Sequence, residues 1–266
     1  MRERGLRLTV PAFAFIAGAL SMAACLPSQA RAETFSVANN DHRTYLYFQV
    51  PEATAQRLLP AGWQATPAQS GPTQGANLVV ILLDQLMAQD AQGRPAGGGT
   101  NQGVALFVPA RNAATGAAGL MVFGGFSAKP EGSPGAYGVY ARADIRMERA
   151  VHAGPGDARR GEERWAVAGQ GDGGDRLEVR LRYTAATPTR ATAEARAYSA
   201  QNPDYYRIYR VEQGNDFVRS GPAGVDRVEE FSFAASGPRL GVLFDGSQRL
   251  VAILSVPSYA RRVFLP

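Results

Sequence analysis

Arg176-Leu177-Glu178-Val179-Arg180-Leu181-Arg182-Tyr183-Thr184 places Leu177, Val179, Leu181 and Tyr183 on one side of an extended chain and Glu178, Arg180 and Arg182 on the other. Side chains alternate faces along a strand, so this nine-residue stretch reads as a strand with one buried and one wet face. Working outward, Leu78 to Leu83 is a run of six consecutive aliphatic residues flanked by breakers, short enough for a strand buried on both faces. Thr44 to Val50, Gly103 to Pro109, Leu120 to Phe126 and Tyr137 to Met147 also read as strands. Asp172-Gly173-Gly174-Asp175 and Asp245-Gly246-Ser247-Gln248 read as hairpin turns, the second joining strands at Gly241 to Phe244 and Leu250 to Leu254. Tyr206 to Val211 suits a strand or a helix equally, and residues 33 to 42 read as a polar lead-in. The one clear helix is Glu52 to Leu59, opened by Pro51 and stopped by Pro60-Ala61-Gly62. Short strands, glycine turns and few helices predict a mainly β fold, an antiparallel barrel or sandwich, in a single domain over residues 33–266.

The first 32 residues carry a different message. A head with three arginines, an apolar segment from Leu8 to Ala24 and Ala30-Arg31-Ala32 have the layout of a secretory signal peptide. The expectation is export to the periplasm or the extracellular space. Cys25 follows Met22-Ala23-Ala24, where a lipoprotein signal would place its acylated residue, so a lipid anchor at Cys25 is the alternative processing route and the one expected contact with a membrane. Cleavage after Ala32 removes four arginines and one glutamate, and with them three of the five formal positive charges. Nucleic-acid binders concentrate basic residues on one face, whereas these are interspersed with acids, so no nucleic-acid partner is expected. Cys25 is the only cysteine; the exported body therefore has no internal disulfide, and a hydrophobic core must hold it.

Val50-Pro51, followed by Leu58-Leu59-Pro60-Ala61-Gly62-Trp63, resembles the opening of proteins in the acetoacetate decarboxylase-like superfamily. Gly135-Ala136-Tyr137, Asp144 and Arg160-Gly161-Glu162 resemble that family's glycine-x-tyrosine strand, acidic strand end and glycine-arginine-glutamate turn, the last out of order. The resemblance implies a β-barrel, a homo-oligomer, and decarboxylation of a keto acid through a lysine Schiff base. It also implies, by register, a pocket containing Tyr137, Arg142, Glu163 and Arg164. The lysines, however, are missing where the register would put them: Glu162 is followed by Glu163-Arg164-Trp165-Ala166-Val167. Lys129, the only lysine in the chain, lies in a loop two residues before Glu131, whose carboxylate would favour the protonated, non-nucleophilic amine.

Other chemistries are thinly provided for. Two histidines, His42 and His152, rule out a three-histidine zinc site, no Gly-x-Ser-x-Gly elbow occurs, and no cofactor is expected. The adjacent acids Glu162-Glu163 and Glu229-Glu230 point to opposite faces of a strand and cannot form a close dyad. Tyr205, Tyr206, Arg207, Tyr209 and Arg210 form the densest aromatic and basic cluster, which either covers a sheet face or stacks on and charge-pairs with a ligand. The reading is an exported barrel that binds a small, partly apolar ligand without decarboxylase chemistry. Its rivals are a keto-acid lyase working through Lys129 and an envelope interaction module.

Overall fold

A computed structural model describes residues 32–155, 159–171 and 174–266. The leader, Cys25, Gly156 and the Asp172-Gly173 half of one expected turn lie outside the described residues. The elements run β1 (Thr34–Gln49), α1 (Glu52–Arg57), β2 (Trp63–Ala65), β3 (Leu78–Gln89), β4 (Asn101–Asn112), β5 (Ala118–Ser127), β6 (Tyr140–Ala153), β7 (Arg159–Gly169), β8 (Arg176–Ala185), β9 (Thr189–Ser199), β10 (Tyr206–Ser220), β11 (Val225–Asp226), β12 (Val228–Ser236), α2 (Leu240–Leu243) and β13 (Arg249–Leu265).

Seven of these strands close a barrel in the order β5-β9-β10-β13-β1-β3-β4, with β4 pairing back onto β5. The barrel branches at β5. Its Leu120–Val122 stretch pairs in parallel with Ala197–Ser199 of β9, while its Gly125–Ser127 stretch pairs in parallel with Tyr140–Arg142 of β6. From that fork β6, β7, β8 and β12 continue as an antiparallel sheet laid over one side of the barrel.

This layering explains the aliphatic run in β3. Leu78, Val80 and Leu82 point outward into a core shared with Trp165, Val167, Leu177, Val179 and Leu181 of the overlying sheet. Val79 and Ile81, with the half-buried Leu83, point the other way, into the barrel. A strand with a core on each side cannot alternate polar and apolar residues, and this one does not. The amphipathic strand at 176–184 is β8, whose second face is wet.

Five local expectations are corrected. Residues 34–42 belong to β1: their polar side chains at 39 and 41 are buried on the barrel's inner face, so the strand does not look like one. Gly241 to Phe244 is a single helical turn, α2, because Asp175 accepts hydrogen bonds from the backbone N–H groups of Arg239 (2.9 Å) and Leu240 (3.1 Å) at its start. Asp245 to Gln248 therefore joins a helix to β13 rather than two strands, with Gly246 at φ +99°. Arg160-Gly161-Glu162 is not a turn but part of β7, and Tyr137 ends a 3-10 turn (Ser133–Tyr137) before β6 begins. Tyr206 to Val211 is strand, within β10.

Candidate ligand cavity

The inner face of the barrel alternates bulk. Tyr45, Phe107, Tyr140 and Tyr209 project from their strands or from the start of β6, whereas β9 contributes Ala193 and Ala195 to the lining, and β4 adds Gly103 and Ala105. Small residues opposite large ones leave a void, since the strands cannot approach closer than their backbone pairing allows. The cavity has a volume of about 170 Å³. That is room for a molecule on the order of benzene in size.

Charge inside the cavity is unbalanced. Arg43, Arg207 and Arg261 line it, and among the described lining residues Asp41 is the only carboxylate. Asp41 accepts from two of the three Arg43 guanidinium nitrogens, Nε (2.8 Å) and Nη2, the third donating to Tyr45 Oη (3.4 Å), and also accepts from Asn39 Nδ2 at 2.6 Å. The Arg43 guanidinium carbon lies 3.5 Å from the centroid of the Tyr259 ring. Arg207 donates to Tyr205 Oη at 2.6 Å and sits 5.4 Å from the Tyr137 ring centroid. Arg261 donates from Nε to Asn39 Oδ1 at 3.0 Å, with its guanidinium carbon 4.3 Å from the Tyr209 ring centroid. Stacking on an aromatic face holds the Arg43 and Arg261 guanidinium planes and keeps their N–H groups in position for hydrogen bonding in the plane.

Three of the cavity's tyrosines, Tyr137, Tyr140 and Tyr259, are held in the protonated form. Burial, aided by Tyr209, pushes the Tyr137 phenol well above its ordinary range, and the two hydroxyls share a short hydrogen bond. Burial likewise raises Tyr140 and Tyr259. Burial opposes the positive charge on Arg43 and Arg207, but neighbouring tyrosines, and for Arg43 also Asp41, outweigh it and raise both. The cavity thus offers fixed cations and neutral hydroxyl donors at one side, and alanine, valine and leucine surface at the other.

Of the four residues placed by family register, only Tyr137 lines this cavity. Arg142 is exposed: the next residue, Ala143, is buried in the inter-sheet core, so Arg142 faces outward and bonds Glu131 Oε2 (2.5 Å) and the Ala128 carbonyl (3.0 Å). Arg164 stands between buried Glu163 and Trp165 on β7 and also points out, 3.8 Å from Glu148. Glu163 is buried behind the barrel wall, between the sheets. Its carboxylate accepts from Thr44 Oγ1 (2.9 Å to each oxygen), Trp165 Nε1 (3.1 Å) and Arg149 Nε (3.3 Å). Lys129 is outside the cavity as well, its Nζ donating to the Thr100 carbonyl at 2.9 Å.

The aromatic and basic cluster divides between two faces. Tyr205, Arg207 and Tyr209 belong to the barrel interior, while Tyr206 packs on Tyr198 and Arg210 bonds Glu194 and Glu33 outside. Arg43, Tyr259 and Arg261 escaped sequence reasoning. The period-2 series Val37, Asn39, Asp41, Arg43, Tyr45 was the available signal, but a charged inner face does not read as a core. His42, Asp84, Arg149 and Glu163 form a second polar group between barrel and overlying sheet, with Arg149 bridging Asp84 (3.0 Å) and Glu163. Among the described residues no three His, Cys, Asp or Glu side chains are placed to hold a metal ion.

No protein-family model and no curated protein matches the sequence. Solved structures do match. An acetoacetate decarboxylase-like enzyme from Sphingomonas wittichii RW1 is 14% identical, with 93% of this chain and 97% of that one covered and a TM-score of 0.51. The enduracididine biosynthesis enzyme MppR complexed with pyruvate is 14% identical over 93% of this chain and 96% of that one, at a TM-score of 0.54. The same enzyme with HEPES buffer bound gives 12%, 87%, 86% and 0.54. The fold is therefore that of the acetoacetate decarboxylase-like proteins, as the Val50 to Trp63 segment implied.

Proposed function

We propose that this protein is an exported barrel that binds a small, partly apolar carboxylate in its interior and does not decarboxylate it through a lysine. One observation carries the reading: three guanidiniums and a single carboxylate line a cavity of about 170 Å³ whose remaining wall is largely apolar. A carboxylate offers the paired acceptors that arginine binds best, and a buried pairing of this kind is stronger than its equivalent in water. The pyruvate held by one structural neighbour is a carboxylate of suitable size, which supports the same ligand class here.

Schiff-base chemistry needs an unprotonated primary amine at the reacting carbonyl. The sole lysine bonds a backbone carbonyl outside the cavity. Without that amine, the barrel retains the means to hold a keto acid but not the electron sink that a protonated imine supplies. The Ala30-Arg31-Ala32 site and the apolar segment before it support delivery to the periplasm or beyond, so the ligand would be met outside the cytoplasm.

Borohydride reduction in the presence of pyruvate, read by intact mass, tests the chemistry. The expected mass is unchanged. A reduced adduct that Lys129→Arg abolishes would overturn the reading in favour of an amine-dependent lyase.

A further inference from the structure

The cations of the cavity form two groups at different heights in the barrel. Arg43 and Arg261 share the Tyr259 ring, with guanidinium carbons 3.5 Å and 6.0 Å from its centroid, and Asp41 is bonded to Arg43. Arg207 stands apart, 5.4 Å from the Tyr137 ring centroid and 5.8 Å from that of Tyr205. Strand register sets the separation. Arg207, Tyr209 and Val211 follow one another on the inner face of β10, and Val211 lies opposite Arg261 on β13. Four residues at the rise of a strand put the Cα atoms of Arg207 and Arg261 about 13 Å apart along the wall. The Tyr209 ring, 4.3 Å from Arg261, and the Tyr137 ring lie between the two groups, their hydroxyls bonded to each other. Beside them Ala193 and Ala195 of β9, opposite Val211 and Tyr209, keep the wall apolar.

We propose that the ligand is a short-chain dicarboxylate, one carboxylate at the Arg43–Arg261 group and the other at Arg207, an inference that rests on reading the cavity as a carboxylate site. Two carboxylates bring the formal charge of the described lining, three guanidiniums and one carboxylate, to zero. Burying charge is costly unless it is matched, so a doubly charged ligand suits this interior better than a singly charged one. A second void, of about 140 Å³, adjoins the cavity, and Gln85, Asn101, Pro134 and Arg207 line both. Its described lining holds no carboxylate, and it includes exposed Gly97, so this void meets solvent. An anion entering by that route reaches Arg207 first. Its other carboxylate then lies along the apolar wall towards Arg261, where a ligand with a single acid group can satisfy only one of the two groups.

Isothermal calorimetry at about pH 8, where every carboxyl is ionised, compares succinate, glutarate and adipate with butyrate, pentanoate and hexanoate, the monocarboxylates of equal chain length. At least one dicarboxylate is expected to bind the wild-type protein about tenfold or more tightly than its monocarboxylate, because a second charge-assisted contact is made. Arg207→Met should erase that advantage, and Arg207→Lys, which keeps the charge but not the planar fork, should keep part of it. The wild-type comparison needs no variant, so the test stays decisive if Arg207→Met folds poorly. Dicarboxylates that bind no better than their monocarboxylates, or an advantage that survives Arg207→Met, would overturn the proposal and leave the carboxylate reading standing. Failure of both series to bind would overturn both.

Discussion

The guanidinium carbon of Arg261 lies 4.3 Å from the centroid of the Tyr209 ring, and its Nε donates to Asn39 Oδ1 at 3.0 Å. Arg261 belongs to β13, Tyr209 to β10 and Asn39 to β1, three neighbouring barrel strands. Asn39 also donates to Asp41, so the contact positions Arg261 beside the Arg43–Asp41 pair without giving it a carboxylate of its own. A cation held in place by a ring and an amide, at the wall of an apolar void, is suited to a carboxylate that arrives with the ligand.

The void depends on small side chains. Ala195→Leu projects three further carbons from β9 into about 170 Å³ of space. Carboxylate binding should be abolished while far-ultraviolet circular dichroism and the melting temperature stay near wild type, because the added atoms fill a cavity rather than a packed core.

Glu163 is predicted to matter for stability rather than for the ligand. Glu163→Ala strips Thr44, Trp165 and Arg149 of their shared acceptor, and breaking a buried pair costs about 3–5 kcal/mol. Urea unfolding should register a loss on that scale, towards its lower end because Arg149 keeps Asp84. Arg149→Met in the same chain should recover most of it.

The fold was more legible than the site. Leu78 to Leu83 and the alternation at 176–184 carry their environments openly, since apolar side chains at strand spacing have few other readings. The site residues do not. Asn39, Asp41 and Arg43 are polar at inward positions, and what makes them a core is the partners that β10 and β13 bring, more than 160 residues away. Arg142 and Arg164, which the family register placed in a pocket, lie outside this cavity for a simpler reason: beside a buried neighbour on a strand, the next side chain must face out.

Gly119 marks where the barrel closes. A Cβ there would sit 2.4 Å from the Arg196 carbonyl oxygen and 2.8 Å from the Tyr198 ring. Because one of those atoms is backbone, Gly119→Ala must pry β5 from β9, and a loss of about 2–3 kcal/mol is expected in chemical denaturation, in the range of overpacked cores. The same change at half-buried Gly241, where a Cβ meets nothing, should be neutral within about 0.5 kcal/mol.

His42 gives the protein an acid-sensitive contact. Burial first, and then Arg149, lower its pKa below the ordinary 6.5, against the opposing pull of Asp84, Glu163 and Asp41. The folded state thus takes up this proton at lower pH than the unfolded chain does. Below about pH 6.5 the unfolded chain binds more protons, so stability falls as pH drops from there to the folded-state pKa, and then levels. Melting temperatures measured from pH 8 to pH 5 should show that decline, and His42→Gln should flatten it.

The most direct test is a calorimetric titration of pyruvate into the wild-type protein and into Arg261→Met. Saturable binding at one site per chain is predicted, weakened at least about tenfold by the substitution, which corresponds to about 1.4 kcal/mol. Binding that ignores the loss of Arg261, or no binding of pyruvate or of its longer apolar homologues by a folded wild type, would contradict a barrel built to hold a carboxylate.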